Sequence, residues 1–192
     1  YFYEYVQGVE GEGQQFIAMG HSLGTYLWIN TLSYFKDIYV DALVLISGGS
    51  INTIDNIRSL KENGRYFSHI NKLKAFFSIF NHNIKPVHIV FPDIPQLEQS
   101  GFIKDYGFSF FMMFRGFQNR FKTFYTNINI PILMISGSRD EIFKPEILEE
   151  SYNLINNEDK DFIILQDNTH TSIIWSAGSH INSWLEDYSQ NP

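Results

Sequence analysis

Four short apolar runs punctuate the chain, each followed by glycine or polar turn residues. Phe16-Ile17-Ala18-Met19 stops at Gly20, Ala42-Leu43-Val44-Leu45-Ile46 at Ser47-Gly48-Gly49, Pro131-Ile132-Leu133-Met134-Ile135 at Ser136-Gly137, and Phe162-Ile163-Ile164-Leu165 at Gln166-Asp167. Runs this short and continuous predict strands buried on both faces of a parallel sheet. Between them the apolar spacing turns helical. Leu23, Tyr26, Leu27 and Trp28 lead on to Leu32 and Phe35, predicting a helix directly after the first strand. Pro145, well placed in a first turn, opens a second helix with Ile147, Leu148, Tyr152 and Ile155 on about one face. A last helix is predicted from about Thr171 to Tyr188, with Ile174, Ile181, Trp184, Leu185 and Tyr188 as its apolar contacts. Strands alternating with helices imply crossover units, hence an α/β fold with a mostly parallel sheet and flanking helices.

The alternation breaks between the second and third strands. Residues 50–127 show helical stretches around 54–62, 65–81 and 107–125 and no comparable strand–helix unit. This span is predicted to be a helical insertion into a core made of residues 1–49 and 128–192. It holds 13 of the 18 Phe residues, well above its share of the chain. Its ten Lys and Arg outnumber its five Asp and Glu, giving +5; the rest carries four against sixteen, −12, for a total of −7. A basic insertion and an acidic core are expected to complement each other electrostatically. The alternative is that the insertion meets anionic lipid head groups or an anionic carrier.

Composition narrows the chemistry. With 44% hydrophobic and 18% charged residues in 192, the chain can build a core and is not a disordered tail. An acidic balance argues against a nucleic-acid partner. The absence of cysteine excludes disulfides, thiolate nucleophiles and cysteine-ligated metals. No uncharged apolar run approaches the roughly 20 residues of a membrane span; the most apolar stretch, Tyr106 to Phe114, is closed by Arg115. The start, Tyr1-Phe2-Tyr3-Glu4-Tyr5, has no initiator Met or signal-peptide pattern and reads as the middle of an amphipathic helix.

Gly20-His21-Ser22-Leu23-Gly24 falls where the first strand meets the first helix. A serine hydroxyl becomes a useful nucleophile when it is exposed, aimed at a base and close to oxyanion donors. A sharp strand-to-helix turn supplies the exposure and needs small residues two before and two after the serine. The helix start supplies donors, the backbone N–H of Leu23 first among them. The bare Gly-x-Ser-x-Gly pattern arises by chance in about one such chain in twenty; its strand-before, helix-after setting makes it specific. Partners follow in order. Asp140 lies in the loop after the third strand, and His170 in the loop after the fourth. Ligands of an open parallel sheet bind beyond the carboxyl ends of its strands, where Ser22, Asp140 and His170 all fall. His170 would shuttle the serine proton while Asp140 fixes its tautomer. Glu141 and Asp55 are competing acids and His180 a competing base. His69, His82 and His88 lack metal-ligand spacing, so no metal is expected.

Phe16 to Gly24, Pro131 to Asp140 and His170 together resemble the α/β-hydrolase superfamily, whose chain order is serine, acid, histidine. The resemblance covers nearly the whole chain. It implies a serine hydrolase with no cofactor, acting on an ester or thioester with an apolar acyl group, lipids included. The Gly-His-Ser-Leu-Gly form is most similar to esterases, monoacylglycerol-type lipases and thioesterases. Serine at position 22 disfavours the subfamilies with an aspartate nucleophile. The insertion is then similar to the family's cap, with Phe110, Phe111 and Phe114 as acyl-pocket candidates and His21 structural or pocket-lining. Two other readings remain: a non-catalytic ligand- or partner-binding member, and a carbon–carbon bond hydrolase on the same triad. The family places several strands and a second oxyanion donor before the nucleophile strand, yet only about 15 residues precede Phe16. Those parts are therefore expected to be missing from this sequence or supplied by another chain.

Overall fold

The two most uniformly apolar runs form the centre of a sheet. The computed structural model describes residues 15–35, 37–51, 68–78, 80–81, 83–89, 105–106 and 118–190. Strand β1 is Ile17–His21, β2 Ala42–Ile46, β6 Ile132–Gly137 and β7 Lys160–Leu165. They lie in the order β1-β2-β6-β7, every pair parallel, with β2 and β6 buried along their whole length. Register is set by apolar matching: Val44 stands beside Met19 and Leu133, and Ile135 beside Ile46 and Ile163.

Helix α1 (Leu23–Tyr34) joins β1 to β2, α3 (Gln118–Asn127) precedes β6, α4 (Pro145–Tyr152) joins β6 to β7, and α5 (Ile173–Gln190) follows β7. One face of the sheet packs Val44, Ile46, Leu133 and Ile135 against Ile173, Ala177 and Ile181 of α5. Leu43, Leu45, Ile132 and Met134 alternate with them and are equally buried, as a sheet covered on both faces requires. Tyr26 of α1 stacks on Phe121 of α3, and the fully buried Tyr125 donates from its hydroxyl to the Gly49 carbonyl 2.5 Å away. Burial, and next Tyr26 beside it, raise the Tyr125 pKa well above its ordinary value, so it remains a donor.

Three expectations change in this unit. The first strand is not buried on both faces: Met19 is 45% exposed, because α5 lies over β2, β6 and β7 and leaves that face of β1 open. Helix α1 buries Thr25, Tyr26 and Ile29, while Leu23 and Leu27 are exposed. Apolar residues occur all round its middle turns, so periodicity alone does not select the buried stripe. In α5 the inward row is Ile173, Ala177 and Ile181, with Ile174 turned outward. A shift of one residue rotates a helix position by about 100°.

The chain divides into Tyr1–Ile51 with Asn119–Pro192 and, separately, Asn52–Gln118. The predicted boundaries of 50 and 127 thus shift, the second by most of α3, whose Phe121 and Tyr125, one turn apart, are buried in the sheet unit. The second unit is not helical throughout. Its described residues form strands β3 (Ser68–Ile70), β4 (Val87–Ile89) and β5 (Asp105–Tyr106), paired antiparallel in that order, and helix α2 (Lys72–Ser78). Ser68–Ile70 sits inside a predicted helix, but pairing with a distant strand overrides local preference. The predicted stretches 54–62 and 107–117 lie outside the described residues. No helix among the described residues is long and apolar enough to cross a membrane.

Candidate active site

All four sheet strands run the same way, so the turns after β1, β2, β6 and β7 converge at one end. The turn after β1 is the tightest. Ser22 has φ 53° and ψ −119°, a strained conformation for a residue with a side chain. It is held by its N–H donating to Ile46 O at 3.0 Å and by its carbonyl accepting from Thr25 N–H at 3.1 Å and Thr25 Oγ1 at 2.6 Å. A Cβ on Gly20 would stand 2.6 Å from Gly24 C and 2.7 Å from Thr25 N, so only glycine lets helix and strand approach this closely. Gly48 is equally constrained, since its Cβ would meet Ser22 O at 2.6 Å. Gly24 differs from expectation: among the described residues nothing would touch a Cβ there. The helix leans on the strand through Gly20, leaving the other glycine's position open. Leu23 is the first residue of α1, so its N–H is one of the helix's terminal donors with no intrahelical acceptor.

The loops after β6 and β7 are fastened to each other. Arg139 N–H donates to Asn168 O and Asp167 N–H to Ser138 Oγ, both at 2.9 Å, and Arg139 pairs with Asp167 at 2.6 Å across the surface. Inside this frame Asp140 is 3% exposed. Its Oδ1 accepts from the N–H groups of Ile142 at 2.9 Å and Phe143 at 2.8 Å, which orients the carboxylate and leaves Oδ2 facing His170 Nδ1 at 3.1 Å. On the other side of the ring, His170 Nε2 lies 2.9 Å from Ser22 Oγ. A carboxylate can only accept, so Nδ1 carries the proton and Nε2 is left bare toward the serine hydroxyl. The geometry brings together a serine hydroxyl, an imidazole and a carboxylate drawn from three separate loops.

Aromatic rings flank His170. His21 lies 4.9 Å and Phe143 5.5 Å from the His170 ring, and Phe143 leans in turn on Tyr26 at 5.9 Å. His21 Nε2 is 2.8 Å from His170 O, a carbonyl that can only accept, so Nε2 carries a proton and donates there. Its pKa is lowered, first by burial and then by His170.

The sequence matches no family model and no curated protein. In structure it is similar to a Paleococcus ferrophilus monoacylglycerol lipase (TM-score 0.60, 18% identity, 97% of this chain, 71% of that one). It is also similar to a putative Acinetobacter baumannii lipase (0.60, 16%, 98%, 65%) and to mouse alpha/beta hydrolase domain-containing protein 10 (0.55, 14%, 97%, 68%). The chain has the α/β-hydrolase fold. It spans about two thirds of the length of these structures.

Within the hydrolase fold the remaining candidates separate. Glu141, the competing acid, is buried but accepts from the His170 backbone N–H at 3.2 Å, while the ring nitrogen goes to Asp140. His180 is exposed on α5, past the converging turns. Asp55, Phe110, Phe111, Phe114 and His82 lie outside the described residues. Among the described residues no cluster of His, Asp and Glu is placed to hold a metal ion. A cavity of about 410 Å³ opens at the opposite end of the sheet, bounded by Leu32, Ile38, Val40, Phe124, Ile128 and Ile130. Phe143 is the residue that sequence reasoning missed. A signal existed: an aspartate that takes the N–H groups two and three residues on folds the third residue back beside itself.

Proposed function

We propose that the protein is a serine hydrolase that cleaves a carboxylic ester or thioester with an apolar acyl group. The observation that carries this is the unbroken relay from Ser22 Oγ to His170 Nε2 at 2.9 Å and from His170 Nδ1 to Asp140 Oδ2 at 3.1 Å, mounted on a strained turn. His170 Nε2 takes the hydroxyl proton as Ser22 Oγ bonds to the acyl carbon, and the carbonyl electron pair moves onto oxygen. The Leu23 N–H donates to that oxyanion. As the tetrahedral centre collapses, the bond to the alcohol or thiol breaks and His170 returns the proton to the leaving group. Water, deprotonated by His170, then attacks the acyl-Ser22 ester. The Oγ–carbon bond breaks, the acid leaves and Ser22 recovers its proton. Asp140 holds the imidazole upright and balances its transient charge. The chain's own side chains suffice for these steps, without metal or organic cofactor. The apolar acyl class is supported by the Phe-rich span 50–127 and by the lipase names of similar structures.

A fluorophosphonate probe tests the reading, together with p-nitrophenyl esters of increasing acyl length. Labelling mapped to Ser22, and ester turnover that falls by roughly 10⁴-fold or more in Ser22→Ala, is the expected result. A folded protein that is not labelled would be a non-catalytic binder. Labelling without ester turnover would point to carbon–carbon bond hydrolysis on the same triad.

A further inference from the structure

The side chain of His170 is held by Ser22 and Asp140. Its backbone is held as well, by the chain neighbours of those same two residues. His21, just before Ser22, donates from Nε2 to the His170 carbonyl at 2.8 Å. Glu141, just after Asp140, accepts the His170 N–H at 3.2 Å. The loop between β7 and α5 is otherwise tied to the rest of the site through Asp167 and Asn168, upstream of His170. Thr169, just before His170, is bonded within its own segment, its carbonyl accepting from Ile173 N–H at 3.3 Å and its N–H donating to Ser172 Oγ at 2.8 Å; the bonds from His21 and Glu141 are the ones that join the His170 backbone to the other two loops.

We propose that His21 and Glu141 are positioning residues: a clamp on the His170 backbone that sets the distance from its Nε2 to Ser22 Oγ. The inference rests on the serine-hydrolase reading above and deepens it. Each side chain is a costly choice for a merely structural bond. A buried carboxylate loses its hydration, and a buried imidazole must stay neutral to be tolerated. Both side chains reach the backbone of the base, Glu141 from a buried position and His21 from a partly buried one. The clamp also couples the three loops. A shift of the turn at Ser22 carries His21 with it, and a shift of the acid loop carries Glu141, so the base follows whichever loop moves. During acyl transfer the imidazole becomes charged and must hand its proton to a second atom, the leaving group. Through this step Ser22 Oγ is no longer a hydrogen-bond donor to it, and the backbone grip works with Asp140 to keep Nε2 in place. A neutral His21 ring 4.9 Å from the imidazolium places no second positive charge beside it, in keeping with the lowered basicity of His21.

The test uses the intact protein, with active sites counted by fluorophosphonate so that misfolded molecules do not enter the rate. His21→Leu and Glu141→Leu remove the donor and the acceptor. His21→Gln and Glu141→Gln restore an N–H donor and a carbonyl acceptor at similar reach. The leucine variants are expected to lower kcat per titrated site by about ten- to a hundredfold, with KM for a p-nitrophenyl ester changed by no more than about twofold, as misplacement of a reacting group produces. The glutamine variants are expected to return kcat to within about threefold of the wild type. A purely structural role would reduce the number of titrated sites and leave kcat per site intact. If either leucine variant fails to fold, the smaller His21→Ala or Glu141→Ala is read in its place. A kcat per site within about twofold of wild type in these variants overturns the proposal, as does a glutamine variant no better than its leucine counterpart. Failure of the wild-type protein to label at Ser22 would instead overturn the underlying hydrolase reading.

Discussion

The two ends of the parallel sheet are built on different principles. At the carboxyl ends of the strands, loops are joined by polar side chains reaching from one loop to the next: Ser22 to His170, His170 to Asp140, His21 and Glu141 to the His170 backbone, and Arg139 to Asp167. At the amino ends, the chain entering β2 and β6 lines a cavity of about 410 Å³ with Ile38, Val40, Ile128 and Ile130. This cavity therefore lies at the end of the sheet away from Ser22, Asp140 and His170. Space marks where a loosely packed end is tolerated, whereas convergent polar groups mark where the backbone is held to a narrow geometry.

This contrast breaks most decisively at the carboxylate. Asp140→Asn keeps shape and burial but forfeits the fixed tautomer, and kcat is expected to fall by about 10³–10⁴-fold with the folded structure retained. Activity within tenfold of wild type would transfer the orienting role to Glu141. The next largest effect concerns the turn. Gly20→Ala forces a Cβ to within 2.6 Å of backbone and is expected to destabilise by about 1–3 kcal/mol or more in denaturant titration. Gly24→Ala, inside α1 and with no described residue in reach of its Cβ, is expected to stabilise by about 0.5–1 kcal/mol. Equal losses at both glycines would show that the second is constrained too.

The pH dependence of stability is a finer probe. The pKa of His21 is lower folded than unfolded, so the unfolded chain binds the extra proton more readily. The contribution of His21 to stability is thus complete above its unfolded value of about 6.5 and declines as pH falls below it. His21→Gln is expected to lose stability less steeply than wild type as the medium is acidified through that window, as denaturant midpoints would reveal. Parallel slopes would remove His21 as the source. The smallest effect belongs to the cavity end. Arg120 lies 4.0 Å over the Tyr34 ring, and Arg120→Ala is expected to cost about 0.5–1 kcal/mol without altering kcat. A large loss of activity there would join the two ends functionally.

Much of the candidate site was legible in the sequence because strand–turn–helix punctuation is local. Gly20 to Gly24 between an apolar run and a helical pattern, an acid after the third run and a histidine after the fourth required no contact information. What periodicity misjudged was orientation and non-local pairing. Ile174 is expected as an apolar contact of the last helix and is exposed, because apolar neighbours on adjacent positions leave the stripe ambiguous by one residue. Ser68–Ile70 was expected to be helical and became a strand, because its partner β4 lies farther along the chain.

The sequence by itself determined the order of elements in the parallel-sheet unit, the apolar runs that become β2 and β6, and the three side chains that follow the strand ends. These follow from local spacing, turn chemistry and the direction that a parallel sheet imposes. Only the tertiary structure decided which acid faces the ring and which serves its backbone, and that His21 turns toward the His170 carbonyl. Asp140 and Glu141 are adjacent and chemically alike. The choice between them depends on the N–H groups of Ile142 and Phe143 orienting one carboxylate and on a loop brought in from β7, and distances of that kind exist only once the chain has folded.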